Sequence, residues 1–318
     1  MCEVMFPIGA VHDMRVTKGL FTAPLVAAAV ALAGCNNEPP RHRVRLTAGP
    51  TSAVHQETPT VLRVGIASVL SSGESLGHYR DLVEFLGERL GIPTEMVRKT
   101  NYAEMNELMR GRYCPVGLVC NYAFVRARRE FGAEVLAVPQ VDGTTTYTAY
   151  IIVGRDSPAR SVEDLRGKRF AFADPLCNAG WLYPRFRVRQ LSRSPFDFFG
   201  GESFSYSYEK SIRAVAARLA DAAGVESPLY DGMVAANDPA ALATRIIDRS
   251  PLFGNPPLVV HPDLDPTVRE GIRRFFLDLH ESERGRAILA GIQVDRFVPP
   301  EPDQYATVDA MAVEMERP

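Results

Sequence analysis

The chain has almost no excess of one charge. Its 36 Lys and Arg stand against 38 Asp and Glu, a formal net charge of −2. That balance argues against a nucleic-acid partner, which needs a basic patch or stripe. Histidine is scarce, at 6 residues, and no metal-ligand spacing of Cys, His and Asp occurs, so neither a metal nor a cofactor is expected. No Walker loop is present, so phosphate-loop nucleotide chemistry is not indicated. The apolar run Leu20–Ala33 falls short of the roughly 20 residues that cross a bilayer. Internal repeats and long low-complexity tracts are missing. What remains is 318 residues of ordinary soluble composition, 46% hydrophobic and 23% charged, long enough for two lobes.

The N-terminus has the pattern of a targeting segment. Arg15 and Lys18 supply a positive start and Leu20–Ala33 the apolar middle. Leu32-Ala33-Gly34-Cys35 follows and resembles the lipobox of bacterial lipoproteins. The resemblance implies a signal peptide over 1–34, a diacylglycerol on Cys35, and a mature chain anchored to a bacterial membrane in the periplasm or at the cell surface. A plain secretory signal is the alternative. Met1–His12 do not fit a signal peptide, which points to Met14 as the start. Residues 35–60 hold Pro39, Pro40, Gly49, Pro50 and Pro59 with little apolar period, and are expected to be a flexible tether.

From Val61 strands and helices alternate. Val61–Ala67 is a strand. Leu76, Tyr79, Leu82, Val83, Leu86 and Leu90 share a helix face that Gly91 and Pro93 end. Thr94–Arg98 is a strand, and Thr100 or Asn101 caps a helix with Met105, Leu108 and Met109. Pro115–Cys120 is a buried strand, with Asn121 as the next helix cap. Gly143–Val153 is a long β-branched strand, Ser161–Asp164 a variant capping box, Ala222–Glu226 a strand, and Asp265-Pro266 a helix start. The alternation predicts α/β with a largely parallel sheet.

The stretch that organises the rest is Phe170–Pro184. Arg169–Ala173 is a short buried strand, Asp174-Pro175 breaks it, and a helix starts near Ala179 with Trp181, Leu182, Phe186, Val188 and Leu191 on one stripe. A strand, a turn of small residues and a helix start point backbone N–H groups into the crevice at the strand's carboxyl end. A helix N-terminus there favours anions. An ordinary strand-to-helix connection is the bland alternative.

Tyr147-x-x-x-Ile-Ile-Val, Ser161-x-x-Asp-Leu-x-Gly-Lys168 and Asp174-Pro-x-x-x-x-Gly-x-Leu-Tyr-Pro184 resemble the phosphate, phosphite and phosphonate (PhnD-like) substrate-binding proteins of ABC importers. Lys210–Ala216, Pro256–Val260 and Asp295-Arg296-Phe297 extend the likeness, which runs from Val61 to Tyr305. It implies a two-lobe periplasmic-binding fold of type II with two crossings between lobes, and a solute bound in the cleft for a permease, without catalysis. The lobes are expected over 61–147 with 256–318, and over 148–255, in a monomer.

The same likeness places ligand contacts at Tyr102, Tyr147, Cys177, Asn178, Ala179, Gly180, Tyr208 and Glu226. Where the family has Ser-x-Ser-Gly, this chain has Cys177-Asn178-Ala179-Gly180, so both hydroxyls that grip a phosphoryl group are gone. Tyr208-Glu209 stands for a His-Asp pair, and Glu226 sits near an acidic position that can meet an amine. The expected ligand is a small anion, phosphonate- or phosphate-like or a related organic acid, with or without an amine. Bland roles compete: Tyr147 and Tyr208 as sheet aromatics, Trp181 as core or cleft wall, Cys114, Cys120 and Cys177 as small buried residues. Cys114 and Cys120 lie about 20 Å apart in one extended strand and cannot bridge. Cys120 and Cys177 each end a strand near the cleft, where a pair is conceivable. Two other function classes stay open: an enzyme using Cys177 as a nucleophile at a helix start, and a lipoprotein that senses without transport.

Overall fold

A computed structural model describes residues 61–67, 76–191, 194 and 196–317. The expected signal peptide, Cys35 and the tether to residue 60 lie outside the described residues. Eleven strands among them form two sheets. The first holds β1 (Leu62–Ala67), β2 (Thr94–Lys99), β3 (Val116–Leu118), β4 (Glu134–Gln140), β10 (Leu258–Val260) and β11 (Arg296–Val298) in the order β11-β4-β10-β3-β1-β2. The second holds β5 (Thr146–Gly154), β6 (Arg169–Phe172), β7 (Gly201–Phe204), β8 (Ala222–Glu226) and β9 (Thr244–Gly254) in the order β7-β6-β8-β5-β9. The chain therefore leaves the first sheet between β4 and β5 and returns between β9 and β10. These are the two crossings of a two-lobe α/β protein.

Helices fill the connections. They are α1 (Leu76–Leu90), α2 (Tyr102–Arg110), α3 (Asn121–Phe131), α4 (Tyr183–Leu191), α5 (Tyr208–Ala216), α6 (Ser227–Ala235), α7 (Pro239–Leu242), α8 (Pro266–Asp278), α9 (Glu283–Gly291) and α10 (Ala306–Glu316). Several start where local chemistry dictates. Asn101 accepts the Glu104 amide at 2.8 Å to cap α2, and Asp265 accepts the Thr267 and Val268 amides to cap α8 with Pro266 at its first position. Asn121 does not cap α3. Cys120 holds that position, and Asn121 turns its amide N–H toward the Gly254 carbonyl at 3.0 Å. The expected parallel sheet holds only in part, because β5, β9, β10 and β11 run antiparallel to their neighbours.

Both crossings are stapled by one residue that sequence reading passed over. Asn255 is buried. Its backbone N–H donates to Thr145 O at 2.8 Å, and its side-chain amide donates to Pro139 O and Thr144 O at 2.9 and 3.1 Å. Tyr305 donates back to Asn255 O at 2.9 Å. Replacing Asn255 with alanine strips the buried Pro139 carbonyl of its side-chain donor and Thr144 O of one of its two donors. We expect a loss of about 2 kcal/mol and a drop in Tm of roughly 4–8 °C, read by thermal unfolding with circular dichroism.

Candidate functional site

The carboxyl ends of β3, β6 and β8 and the start of β5 meet at one place, and every residue expected there is brought to it. Asp174 ends β6 as a buried carboxylate. It accepts the Leu176 amide at 2.7 Å and, from the other sheet's layer, the Tyr102 amide at 3.1 Å. Burial still moves its pKa up. Behind it the chain makes a π turn, Asn178–Leu182, which runs into α4. Single π turns inserted in helices recur at functional sites. Cys177 caps this turn and its sulfur accepts the Gly180 amide at 3.3 Å.

The polar groups form one network whose proton directions can be deduced. Asn121 donates to Gly254 O, so its Oδ1 faces Cys120 and Tyr147 as an acceptor. The Cys120 thiol donates to it at 3.1 Å and the Tyr147 hydroxyl at 3.3 Å. With its proton so committed, Tyr147 accepts from Asn178 Nδ2 at 2.9 Å. Asn178 Oδ1 is left as a buried acceptor with no partner, and the Tyr102 hydroxyl is buried and unpartnered as well. Buried polar groups without partners are rare in native proteins and call for a reason.

Glu226 ends β8 opposite Ala149 of β5. Burial lifts its carboxyl to about 7, although the residue keeps some accessible surface. Its charge helps hold the phenols of Tyr79, Tyr102, Tyr147 and Tyr208 above their ordinary range, behind burial as the main cause in each. No salt bridge to Glu226 is found among the described residues, and burial is the cause of its shift. The site thus holds one carboxyl whose charge acts on four buried tyrosines. Tyr79, near the start of α1, is a member that helical spacing marked only as core.

Two expectations change on this geometry. The anion-facing wall expected at Ala179 and Gly180 is reduced, because sulfur already takes the Gly180 amide and, through Cys120, the Asn178 amide at 3.2 Å. The Cys177 thiol is also a poor nucleophile in this conformation. Burial pushes it well above its usual range, outweighing the amide and the Tyr208 hydroxyl 2.8 Å away. The spacing Gly73-Glu74-Ser75-Leu76-Gly77 matches a serine nucleophile elbow, but residues 73–75 lie outside the described residues, and His78 packs on Gly291 of α9. A cavity of about 880 Å³ lies at the opposite end of the second sheet. It is lined by Ser157, Lys168 and Arg218 among others, and includes no residue of the tyrosine site.

Aromatic contact ties the two layers beside the network. Tyr122 of α3 and Trp181 of the π turn stack with ring centroids 6.0 Å apart and planes 2° from parallel. Trp181 is the single tryptophan of the chain, so its emission reports on this contact.

Known proteins give the frame for this site. Residues 64–305 match the family described as the periplasmic phosphonate substrate-binding protein of ABC transporters. A phosphonates-binding periplasmic protein of Escherichia coli K12 is 25% identical over 248 residues, covering 76% of this chain and 72% of that one. A binding-protein component of an ABC phosphonate transporter from Pseudomonas aeruginosa superposes with a TM-score of 0.72 at 22% identity, covering 80% of this chain and 86% of that one. PhnD1 of Prochlorococcus marinus, solved with methylphosphonate, also gives 0.72, at 18% identity, over 81% of this chain and 98% of that one. Among the described residues no helix is long and apolar enough to cross a membrane.

Proposed function

The chain belongs to the periplasmic phosphonate substrate-binding family of ABC transporters, and from that premise we propose that its solute is a zwitterion with a phosphonate-like acid at one end and an amine at the other. The observation that carries this is the Glu226 carboxyl at the end of β8, raised by burial and without a salt-bridge partner among the described residues, beside the unpartnered Asn178 and Tyr102 groups of the network. A bare dianion would meet an acid there and no positive side chain. An ammonium group would find the carboxylate, the free Asn178 Oδ1 and aromatic faces, which attract cations. The acidic end would lie toward the unpartnered Tyr102 hydroxyl, since sulfur takes the Gly180 and Asn178 amides of the π turn. The hydroxyls of the family's Ser-x-Ser-Gly are lacking, so the tyrosine phenols would serve as donors in their place. Tyr102 carries an unpartnered hydroxyl for that purpose.

Calorimetry on the full chain with Cys35→Ala tests this. An aminoalkylphosphonate should bind at least about tenfold tighter than methylphosphonate or inorganic phosphate, a difference of about 1.4 kcal/mol. Equal or tighter binding of inorganic phosphate would reject the proposal.

The lobes we assign to this work are 61–147 with 256–318, and 148–255, closing on the solute as a monomer that delivers it to a permease. Lipidation of Cys35 would hold the protein at the membrane, since Leu32-Ala33-Gly34-Cys35 has the acceptor spacing. Wild type should then fractionate with membranes and Cys35→Ala should be released. An unacylated intact mass for the wild-type protein would reject the anchor.

A further inference from the structure

We infer that Cys120 and Cys177 are a redox pair whose disulfide locks the cleft shut, a covalent site joining the two sheets' layers. The inference rests on the cleft being one that opens and closes. Cys120 follows β3 in the first sheet and Cys177 follows β6 in the second, so a bond between them spans both lobes. Both are fully buried, and both cap helical elements, which fixes their backbones. Both sulfurs accept amides of the same turn, and the Gly180 amide donates to Cys177 Sγ at 3.3 Å. The Asn178 amide donates to Cys120 Sγ at 3.2 Å, which seats that sulfur on the backbone next to Cys177.

Cys114 supplies the contrast. It too is buried, but its thiol reaches only the carbonyls of Arg63 and Val116, at 3.5 and 3.4 Å, within one sheet's layer. A cysteine serving as a small apolar filler looks like Cys114. Cys120 and Cys177 instead belong to one polar network around the π turn, in a family that works in the oxidising periplasm.

The closed cleft buries both sulfurs, so exchange begins in an open form. There the Cys177 thiolate, with the helix-start amide of Gly180 beside it, attacks one sulfur of a small-molecule or protein disulfide. This releases one thiolate and leaves a mixed disulfide on Cys177. As the lobes close, the Cys120 thiolate attacks Cys177 Sγ and expels the second thiolate. The two cysteines lose two protons and two electrons, and the donor disulfide gains them to become two thiols. Reduction by a dithiol reverses each step. Oxidised protein can neither admit nor release solute.

The test uses the full chain with glutathione disulfide and needs no ligand. Non-reducing peptide mapping should find Cys120 linked to Cys177, with Cys114 free. Amide exchange over Asn178–Leu182 should slow at least tenfold on oxidation and recover with dithiothreitol. In Cys120→Ser, whatever its basal exchange, oxidant should change nothing at these amides. A mapped link between Cys120 and Cys177 that leaves exchange unchanged overturns the lock. Absence of the link, once a thiol–disulfide reporter in the same buffer is fully oxidised, overturns the pair. If both signatures appear while no phosphonate binds, the lock stands and the proposed solute falls.

Discussion

Alanine at Gly180 or at Gly224 will cost the protein about 1–3 kcal/mol and weaken solute binding at least about tenfold, because each methyl meets atoms that cannot yield. A Cβ on Gly180 would sit 2.4 Å from Ala173 Cβ and 3.1 Å from Ala173 N. That backbone end of β6 is tied to the turn by the Ala173 amide donating to Gly180 O at 3.2 Å. A Cβ on Gly224 in β8 would lie 2.5 Å from Ala179 O and 3.3 Å from Gly180 Cα. Glycine therefore backs on glycine where the strand passes the π turn. Neither has a positive φ, so space and not backbone freedom decides the effect. The turn must retreat in either variant, and Asn178 moves with it. Gly77, with nothing within 4 Å of its Cβ, is the control. Its alanine variant should match or exceed wild-type stability, by up to about 1 kcal/mol, since it lies in α1. Thermal unfolding and calorimetry read both effects. Wild-type stability and affinity in Gly224→Ala would show that the strand does not position the turn.

Several of the alternating elements are legible in the sequence because each carries a local signal. Asn101 caps α2 through its own side chain, Asp265-Pro266 opens α8, and Ala222–Glu226 is a strand bounded by polar ends. The turn Asp174–Gly180 is legible because a proline and small residues leave few alternatives. The rest is decided by contacts far apart in sequence. The second crossing strand, β9, reads as mixed polar residues because much of it is only half-buried, and it pairs with β5 about a hundred residues earlier. Asn255 looks like a loop residue until both crossings are placed around it. Asn121 reads as a cap, although its side chain serves Tyr147 and Cys120. Tyr79 carries the helical period of core residues, and only the folded chain puts Glu226 near it. The family's turn pattern marked Cys177, and the strand ends offered Cys120 as a conceivable partner, but only the two closed sheets seat the Cys120 sulfur on the Asn178 amide.

Glu226→Gln will flatten the pH dependence of stability and split the two classes of solute. The Glu226 carboxyl is raised from 4.5 to about 7 by burial, so the folded chain holds a proton that the unfolded chain releases earlier. The stability this confers is full below about pH 4.5 and is lost as pH rises through about 7. At about 1.4 kcal/mol per pKa unit the loss would reach roughly 3 kcal/mol for a fully dry carboxyl. Partial access of the residue brings it nearer 1–2 kcal/mol. Glutamine cannot ionise, so the variant should equal wild type near pH 4 and exceed it by that amount at pH 8. Binding should move in opposite directions. An aminoalkylphosphonate that pairs its ammonium with the carboxylate drives Glu226 to its charged form, releases a fraction of a proton near pH 7, and should lose about 10–100-fold in affinity in the variant. Methylphosphonate has no ammonium to pair and should bind the variant as well as wild type or better. Denaturation at pH 4 and pH 8, with calorimetry in two buffers of different ionisation enthalpy, measures each part. A variant no more stable than wild type at pH 8 would mean that water reaches the carboxylate, and equal losses for both solutes would mean that the amine does not sit on Glu226.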